Sequence, residues 1–346
     1  MREPEFWWRR TGAAAAALAP LAASYGAVAA WRMRRRGSDL DLPVVCVGNL
    51  TVGGAGKTPT ALALGSMLRE AGERPFFLSR GYGGRLPGPV QVDPALHRAA
   101  DVGDEPLLLA RCAPTVVAHD RVAGARLARA TGARAVVMDD GFQNPSLVKD
   151  CAIVVVDGRR GIGNGKVIPA GPLRAPLDAQ LARAHVLLVI GEPSGAAGVT
   201  AAAAERGVPI FYGRLKPDSA AITALSGRKL LAFAGIGDPD KFFATLKAAR
   251  LEVRVRKSFP DHHRYRAEEA AALLARADGD GLSLVTTEKD SVRLDGDDAL
   301  AALAERAHAL PVALVLDDEN GFRRLVMDRL KRAGVGRTSQ RFTPPT

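Results

Sequence analysis

Residues 44–60 read VVCVGNLTVGGAGKTPT, an apolar run that breaks into a glycine-rich loop ending in Gly56-Lys57-Thr58. This stretch constrains the fold more than any other, because such a loop needs a strand to deliver it and a helix to leave it. Glycines 53, 54 and 56 let backbone N–H groups converge on one anion. Lys57 can reach the β- and γ-phosphates of a nucleotide, and the Thr58 hydroxyl can ligate Mg²⁺. A helix starting near Thr58 adds its positive N-terminal end. Thr51, Val52, Gly53, Gly54, Ala55, Gly56, Lys57 and Thr58 are therefore the candidate loop for a nucleotide's phosphates. The strict spacing G-x-x-x-x-G-K-[ST] asks for glycine at 51, where this chain has threonine.

The rest of the chain fits such a fold. Short apolar runs alternate with helical patterns, as in a parallel sheet flanked by helices. Strands are expected at 43–48, 75–79, 115–118, 135–139, 151–157, 186–190 and 208–213, with helices at 58–71, 104–112, 120–131 and 176–184. A second set follows: strands 229–235, 251–257, 282–287 and 312–316, with helices 238–249, 266–277 and 319–333. The fold class is α/β, a P-loop NTPase-type (RecA-like), mostly parallel sheet with a smaller C-terminal α/β domain and an N-terminal membrane-associated helix. The expected division is 1–37, 38–220, 221–333 and a disordered tail, 334–346. Lys216 to Arg228 lacks a strong core pattern and reads as a linker.

The N-terminus stands apart. Residues 13–31 carry no charge, arginines flank them, and Trp7, Trp8 and Trp31 lie at the ends. A helix of that length is about 28 Å long, near the bilayer core thickness of about 30 Å. Interfacial aromatics and cationic flanks favour a membrane anchor or interfacial helix over a soluble one. A cleaved signal peptide disagrees with a phosphate loop that needs cytosolic nucleotide. The chain has a net charge of +11, which calls for an anionic partner. Segment 1–37 holds seven arginines and two glutamates, so the remainder is only mildly basic and points away from nucleic acid. Three widely spaced cysteines, 46, 112 and 151, give neither a disulfide framework nor a zinc site.

Four further motifs carry chemistry. In VVMDDGFQN (136–144), Asp139 and Asp140 end a strand, where a phosphate-loop protein keeps its Mg²⁺-binding carboxylate. In VGDEPLLLARCAP (102–114), Asp104 and Glu105 precede an apolar helix. They are either helix-start acids or a general base for an acceptor hydroxyl. SFPDHHRY (258–265) presents Asp261, His262 and His263 between a strand and a helix, and adjacent histidines cannot share one strand face. LVTTEKDSVRL (284–294) ends a strand in Thr286-Thr287, with Glu288, Lys289 and Asp290 as a polar cluster or a cap. The arginine-bearing loops SRGYGGR (79–85), with Arg80 and Arg85, and AGPLRAPLD (170–178), with Arg174, suit phosphate or sugar. DGRRGIGNGK (157–166) is a similar loop.

Taken in order, GNLTVGGAGKTPT, SRGYGGR, GDEP, DDGFQ, DGRRGIGNG, PAGPLR, FPDHH and TTEKD resemble the tetraacyldisaccharide 4′-kinase family, the lipid A 4′-kinases of Gram-negative bacteria, from about residue 4 to about residue 330. The resemblance implies transfer of the ATP γ-phosphate to the 4′-hydroxyl of a tetraacylated glucosamine disaccharide 1-phosphate, at the cytoplasmic face of the inner membrane. It implies ATP and Mg²⁺, a catalytic Asp104 partnered by His262, Lys57 in the loop, and Thr58, Asp139 and Asp140 about the metal. Arg80, Arg85 and Arg174 become candidate substrate or phosphate contacts. The implied partners are the lipid A precursor and the membrane surface; no protein partner is expected. Two positions depart from the family pattern: Asn144 stands where His is usual, and Ala175 where Glu is usual. Two other classes remain: a membrane-associated P-loop ATPase or GTPase switch without a lipid acceptor, and a nucleotide-binding module without activity. Thr287-Glu288-Lys289-Asp290 comes close to a guanine-reading N/T-K-x-D.

Overall fold

The structure, a computed structural model, describes residues 3–9 and 12–341. Among the described residues thirteen strands follow in chain order: β1 (Val44–Asn49), β2 (Pro75–Ser79), β3 (Val90–Gln91), β4 (Thr115–Val117), β5 (Ala135–Asp139), β6 (Cys151–Asp157), β7 (Val186–Ile190), β8 (Ile210–Pro217), β9 (Lys229–Ala234), β10 (Glu252–Ser258), β11 (Ser283–Thr287), β12 (Ala307–Leu310) and β13 (Val312–Leu316). They form a nine-stranded sheet, β13-β8-β7-β6-β1-β5-β2-β4-β3, and a four-stranded sheet, β10-β9-β11-β12. The edge pairs β13–β8 and β3–β4 are antiparallel. The pairings inside both sheets are parallel.

β1 sits mid-sheet between β5 and β6, and Val45, Cys46 and Val47 expose no surface. A parallel strand covered on both faces must be apolar throughout, and that is the run the sequence shows. Val45, Val47 and Phe77 pack with Leu64 and Leu68 of the Lys57–Glu70 helix and with Phe322, Val326 and Leu330 of the Glu319–Arg341 helix. Cys46, Val136 and Val154 face the opposite layer, with Ala125, Ala128, Val199 and Ala203. The smaller sheet is built likewise. Leu231 and Phe233 meet Leu273 and Leu303 on one side, while Leu230 and Ala232 meet Phe242, Phe243 and Leu246 on the other.

Three features differ from expectation. First, the tract 38–220 does not hold the whole larger sheet. β13 returns to pair with β8, covering an edge that would otherwise stay open, and Phe322 packs edge-on against Phe211 with centroids 5.3 Å apart. Second, the expected linker is ordered: β8 runs to Pro217, and Asp218 caps the Ser219–Leu225 helix by accepting from Ala221 N at 2.7 Å. The final helix likewise continues to Arg341, through part of the tail expected to be disordered; residues 342–346 lie outside the described residues.

Third, the uncharged N-terminal segment is two helices, Ala13–Ala17 and Ala19–Arg34, broken at Leu18. Pro20 has no N–H to continue the first helix and fits the opening turn of the second. Among the described residues no helix is long and apolar enough to cross a membrane. The second helix buries Ala22, Gly26 and Met33, with Gly26 against Pro176. It exposes Leu21, Tyr25, Val28 and Trp31 at 63, 46, 56 and 61%.

The helix after the phosphate loop is held tightly to the sheet. A methyl group on Gly65 would collide with the Phe77 ring. Gly65→Ala is expected to destabilise the fold by about 1–3 kcal/mol through overpacking, read from urea unfolding. Combining it with Phe77→Leu should recover part of that loss.

Candidate active site

The loop after β1 lies at the carboxyl edge of the large sheet, where open α/β sheets bind ligands. Gly53 (φ +99°) and Gly56 (φ +95°) adopt the left-handed backbone that shapes it. A Cβ on Gly56 would stand 2.8 Å from Ile190 Cδ1. Asn49 Nδ2 donates to Gly53 O at 2.9 Å, and Lys57 Nζ lies 3.5 Å from the same oxygen, folded over the loop. The Val52 N–H donates to Pro172 O at 2.9 Å, so this amide is taken within the protein rather than offered to phosphate.

Asp140 receives Arg174 through two bonds, 2.9 and 3.3 Å, and Lys57 at 3.7 Å. Burial pushes its carboxyl up, but Lys57 and Arg174 prevail and hold it below the ordinary value. Arg174 also donates to Thr51 O at 3.1 Å, so it braces the loop against the β5 acids. Asp139 is 1% exposed, and its Oδ1 has no hydrogen-bond partner. Burial, then the Glu105 and Asp140 charges, push it up to about 7 against Lys57 and Lys289. Such a buried oxygen is suited to a cation. Among the described residues no group of three or more His, Cys, Asp or Glu forms a ready-made metal cluster.

Asp104 opens the Asp104–Ala110 helix and is 4% exposed. Its Oδ1 accepts from Glu105 N at 2.9 Å. Its Oδ2 accepts from Arg293 Nε at 2.8 Å and from Arg293 Nη2, with His262 Nδ1 at 3.4 Å. Burial acts upward on this carboxyl, but the His262 hydrogen bond and the Arg293 and Lys289 charges hold it well below the usual carboxylate range. The hydrogen bond to Asp104 raises His262, outweighing burial. Glu105 Oε1 takes Lys289 Nζ at 2.5 Å and lies 3.5 Å from Thr58 Oγ1. That last contact joins the start of the nucleotide-loop helix to the start of the Asp104 helix.

Among the described residues, His262 and Asp140 are two of four non-glycine residues at positive φ, +54° and +49°. Strained backbone of this kind collects at functional sites. The Tyr82 ring lies 4.9 Å from His262. His263 turns away to bond Glu269 at 2.8 Å and stack on Phe259. Adjacent histidines thus divide, one toward Asp104 and one into the smaller sheet's polar packing.

The structure gathers Lys57, Thr58, Asp104, Asp139, Asp140, Arg174 and His262. It leaves Arg80 exposed at the end of β2 and turns Arg85 to Asp101 at 2.7 Å. Ala175 is fully buried, and Gln180 Nε2 donates to its carbonyl at 2.7 Å and to Leu50 O at 3.2 Å. Asn144 Oδ1 accepts from Ser146 N at 2.8 Å in a local turn. Lys289 and Asp290 face Glu105 and the smaller unit's interior, which removes them as readers of a guanine base. Sequence reasoning missed three partners. Arg293 and Lys289 meet acids far away in the chain. Arg121 is 3% exposed, acted on by the Asp139 charge, and its Nε lacks a partner; Asp120-Arg121 reads in sequence as an ordinary helix start.

The phosphate loop and Asp104 are neighbours, joined through Thr58 and Glu105, an arrangement that suits a phosphotransferase built on a phosphate-loop fold. The family model for tetraacyldisaccharide-1-P 4′-kinase matches residues 14–331. The chain is 58% identical over 333 residues to the tetraacyldisaccharide 4′-kinase of Rhodopseudomonas palustris strain BisA53, covering 96% of this chain and 97% of that one. It is 60% identical over 312 residues to that of Methylobacterium sp. strain 4-46, covering 90% and 94%. The structure of LpxK from Aquifex aeolicus in complex with ATP superposes with a TM-score of 0.71 at 26% identity, over 91% of this chain and 99% of that one. The chain belongs to the tetraacyldisaccharide 4′-kinase family of lipid kinases.

The two histidines make a sharp comparison. His262→Ala is expected to lower turnover about tenfold or more with little change in melting temperature. His263→Ala should lower the melting temperature while turnover per folded molecule stays near that of the unaltered protein. Equal loss of turnover in both would remove the distinction.

Proposed function

We propose that this protein transfers the γ-phosphate of ATP to the 4′-hydroxyl of a tetraacylated glucosamine disaccharide 1-phosphate, the lipid A precursor. The observation that carries this reading is the Thr58–Glu105 contact at 3.5 Å, which sets the phosphate loop beside Asp104. Lys57 and the loop amides from Gly53 to Thr58, other than those bonded within the protein, hold the β- and γ-phosphates. Asp104 accepts the hydroxyl proton through Oδ1 as the acceptor oxygen bonds to phosphorus. The bond from γ-phosphorus to the bridging oxygen breaks, and ADP leaves. A carboxylate of depressed basicity takes the proton late, which suits a loose transition state in which the acceptor oxygen is little bonded. His262 orients Asp104 and keeps it anionic.

The oxygen donors Thr58 and Asp139 fit Mg²⁺, a hard cation, while Asp140 is already engaged by Arg174 and Lys57. A magnesium ion held by Thr58 and Asp139 would supply charge neutralisation on the phosphates. A switch ATPase has no use for a buried carboxylate–histidine pair beside the loop, and the family membership favours the kinase.

The N-terminal helix supports peripheral attachment to the cytoplasmic face of the inner membrane. Its exposed Leu21, Tyr25, Val28 and Trp31 recur at helical spacing, and Arg35 lies over the Trp31 ring at 5.7 Å. Arg32, Arg34, Arg35 and Arg36 add attraction to anionic head groups. Paired Leu21→Glu and Trp31→Glu substitutions should weaken binding to anionic vesicles about tenfold or more. Unchanged vesicle binding would remove this surface as the anchor.

The activity is tested with labelled ATP and defined disaccharide lipid. Label should enter the lipid, and Lys57→Ala and Asp104→Ala should each lower that transfer by about 10²-fold or more while circular dichroism stays native. Release of free phosphate without labelled lipid would support the ATPase reading instead.

A further inference from the structure

The Thr286–Arg293 segment takes no part in the transfer step above, yet Thr286, Asp290 and Val292 are buried, and Thr287, Lys289, Asp290 and Arg293 are paired. Thr287 Oγ1 donates to Asp290 Oδ2 at 2.7 Å. Asp290 exposes no surface, and its Oδ1 accepts from Gly235 N at 3.0 Å, Tyr265 OH at 2.9 Å and Arg293 Nη1 at 2.8 Å. Arg293 Nη1 also donates to Gly235 O at 2.6 Å. One side of the guanidinium is thus fixed to the smaller sheet's loops. Its other side, Nε and Nη2, grips Asp104 Oδ2 on the larger unit. Arg293 stands three positions after Asp290 on the same short helix; on that helix Lys289 reaches Glu105, and Val292 buries with Leu107 and Leu108.

This pairing treats the two oxygens of Asp104 differently. Oδ2 is occupied by Arg293 and His262, while Oδ1 takes one backbone N–H and keeps capacity for another donor. We propose that Arg293, anchored by Asp290, is a positioning residue that turns Asp104 so that Oδ1 meets the acceptor hydroxyl, with Lys289 holding Glu105 beside Thr58 in the same way. The smaller unit then completes the base only when docked on the larger one. This rests on the phosphotransfer reading of the same cleft. Arg's planar fork is what the role requires, since lysine cannot bridge Asp104 and Asp290 in one geometry. The charged groups facing Asp104 are Arg293, Lys289 and His262 from the smaller unit and Glu105 from its own helix.

The test uses the full chain and two readouts. One is the titration of Asp104 by NMR of ¹³C-labelled aspartate, with the resonance assigned through Asp104→Asn. The other is steady-state transfer from labelled ATP to the disaccharide lipid. In Arg293→Met, Asp104 should titrate about one pH unit or more higher, because an adjacent cation is lost. Its kcat should fall roughly 30-fold or more, with the KM for ATP changed by less than about threefold. Arg293→Lys keeps the charge and loses the fork, so Asp104 should titrate near its unaltered position while kcat still falls about tenfold. Normal kcat in either variant would overturn the proposal, as would an unmoved Asp104 titration in Arg293→Met. A rise in the KM for ATP in step with the loss of kcat would mark general loosening and also overturn it. Failure of the unaltered protein to label lipid would instead sink the kinase reading, and the Asp104 titration would still decide the clamp.

Discussion

A carboxylate held out of water is costly unless charges and hydrogen bonds surround it. Asp104 is such a group, and the cations that compensate it come from the other sheet. This one dependence ties the architecture together. The larger unit supplies the acids at a helix start, and the smaller unit supplies Arg293, Lys289 and His262 from loops and a short helix at the carboxyl ends of its strands. Either surface alone would leave buried charge unpaired. Other pairs run between the same units: Lys241 with Asp157, and Arg160 with Asp238 at 3.0 Å. The contact between the units is therefore largely ionic, with a small apolar patch at Val292. Contacts of that character permit relative motion more readily than a large apolar interface does.

The loop and the β5 acids were legible in the sequence because each lies in a short motif with local cause, whereas Asp104 and His262 were singled out only through the resemblance to the family. Gly53 and Gly56 need the left-handed backbone, and Asp139 ends a strand apolar enough to recognise. The partnerships were not legible. Arg293 stands 189 residues from Asp104, and no local pattern says that an arginine near the end of a short helix will meet a distant aspartate. Most of the parallel strands could be read from their continuous apolar runs. The final strand could be seen but not placed, since apolarity does not say which of two sheets β13 will join. The break at Leu18 follows from Pro20, a signal present in the sequence, while the ordering of the segment after β8 depends on the Asp218 cap.

The two departures from the family pattern fall outside the Lys57–Asp104 pairing. Ala175 lies buried beside Gln180, whose amide bonds Leu50 O and accepts from Gln143 Nε2 at 2.9 Å. Gln143 in turn donates to Asn49 O at 2.7 Å. The two glutamines tie the Arg174–Ala175 turn to the end of β1 and the first residues of the loop. Asn144 is spent on a turn. The loop's support thus comes from neutral amides and the Arg174–Asp140 pair, with no carboxylate at position 175.

The central claim is that one cleft holds both the nucleotide's terminal phosphate and the base for the acceptor. A crystal structure with a non-hydrolysable ATP analogue and the disaccharide lipid tests it most directly. The γ-phosphorus is expected between Lys57 and Asp104, with the 4′-hydroxyl donating to Asp104 and its oxygen standing about 3–3.5 Å from phosphorus. A γ-phosphate directed away from Asp104, with the 4′-hydroxyl bound elsewhere, would contradict it.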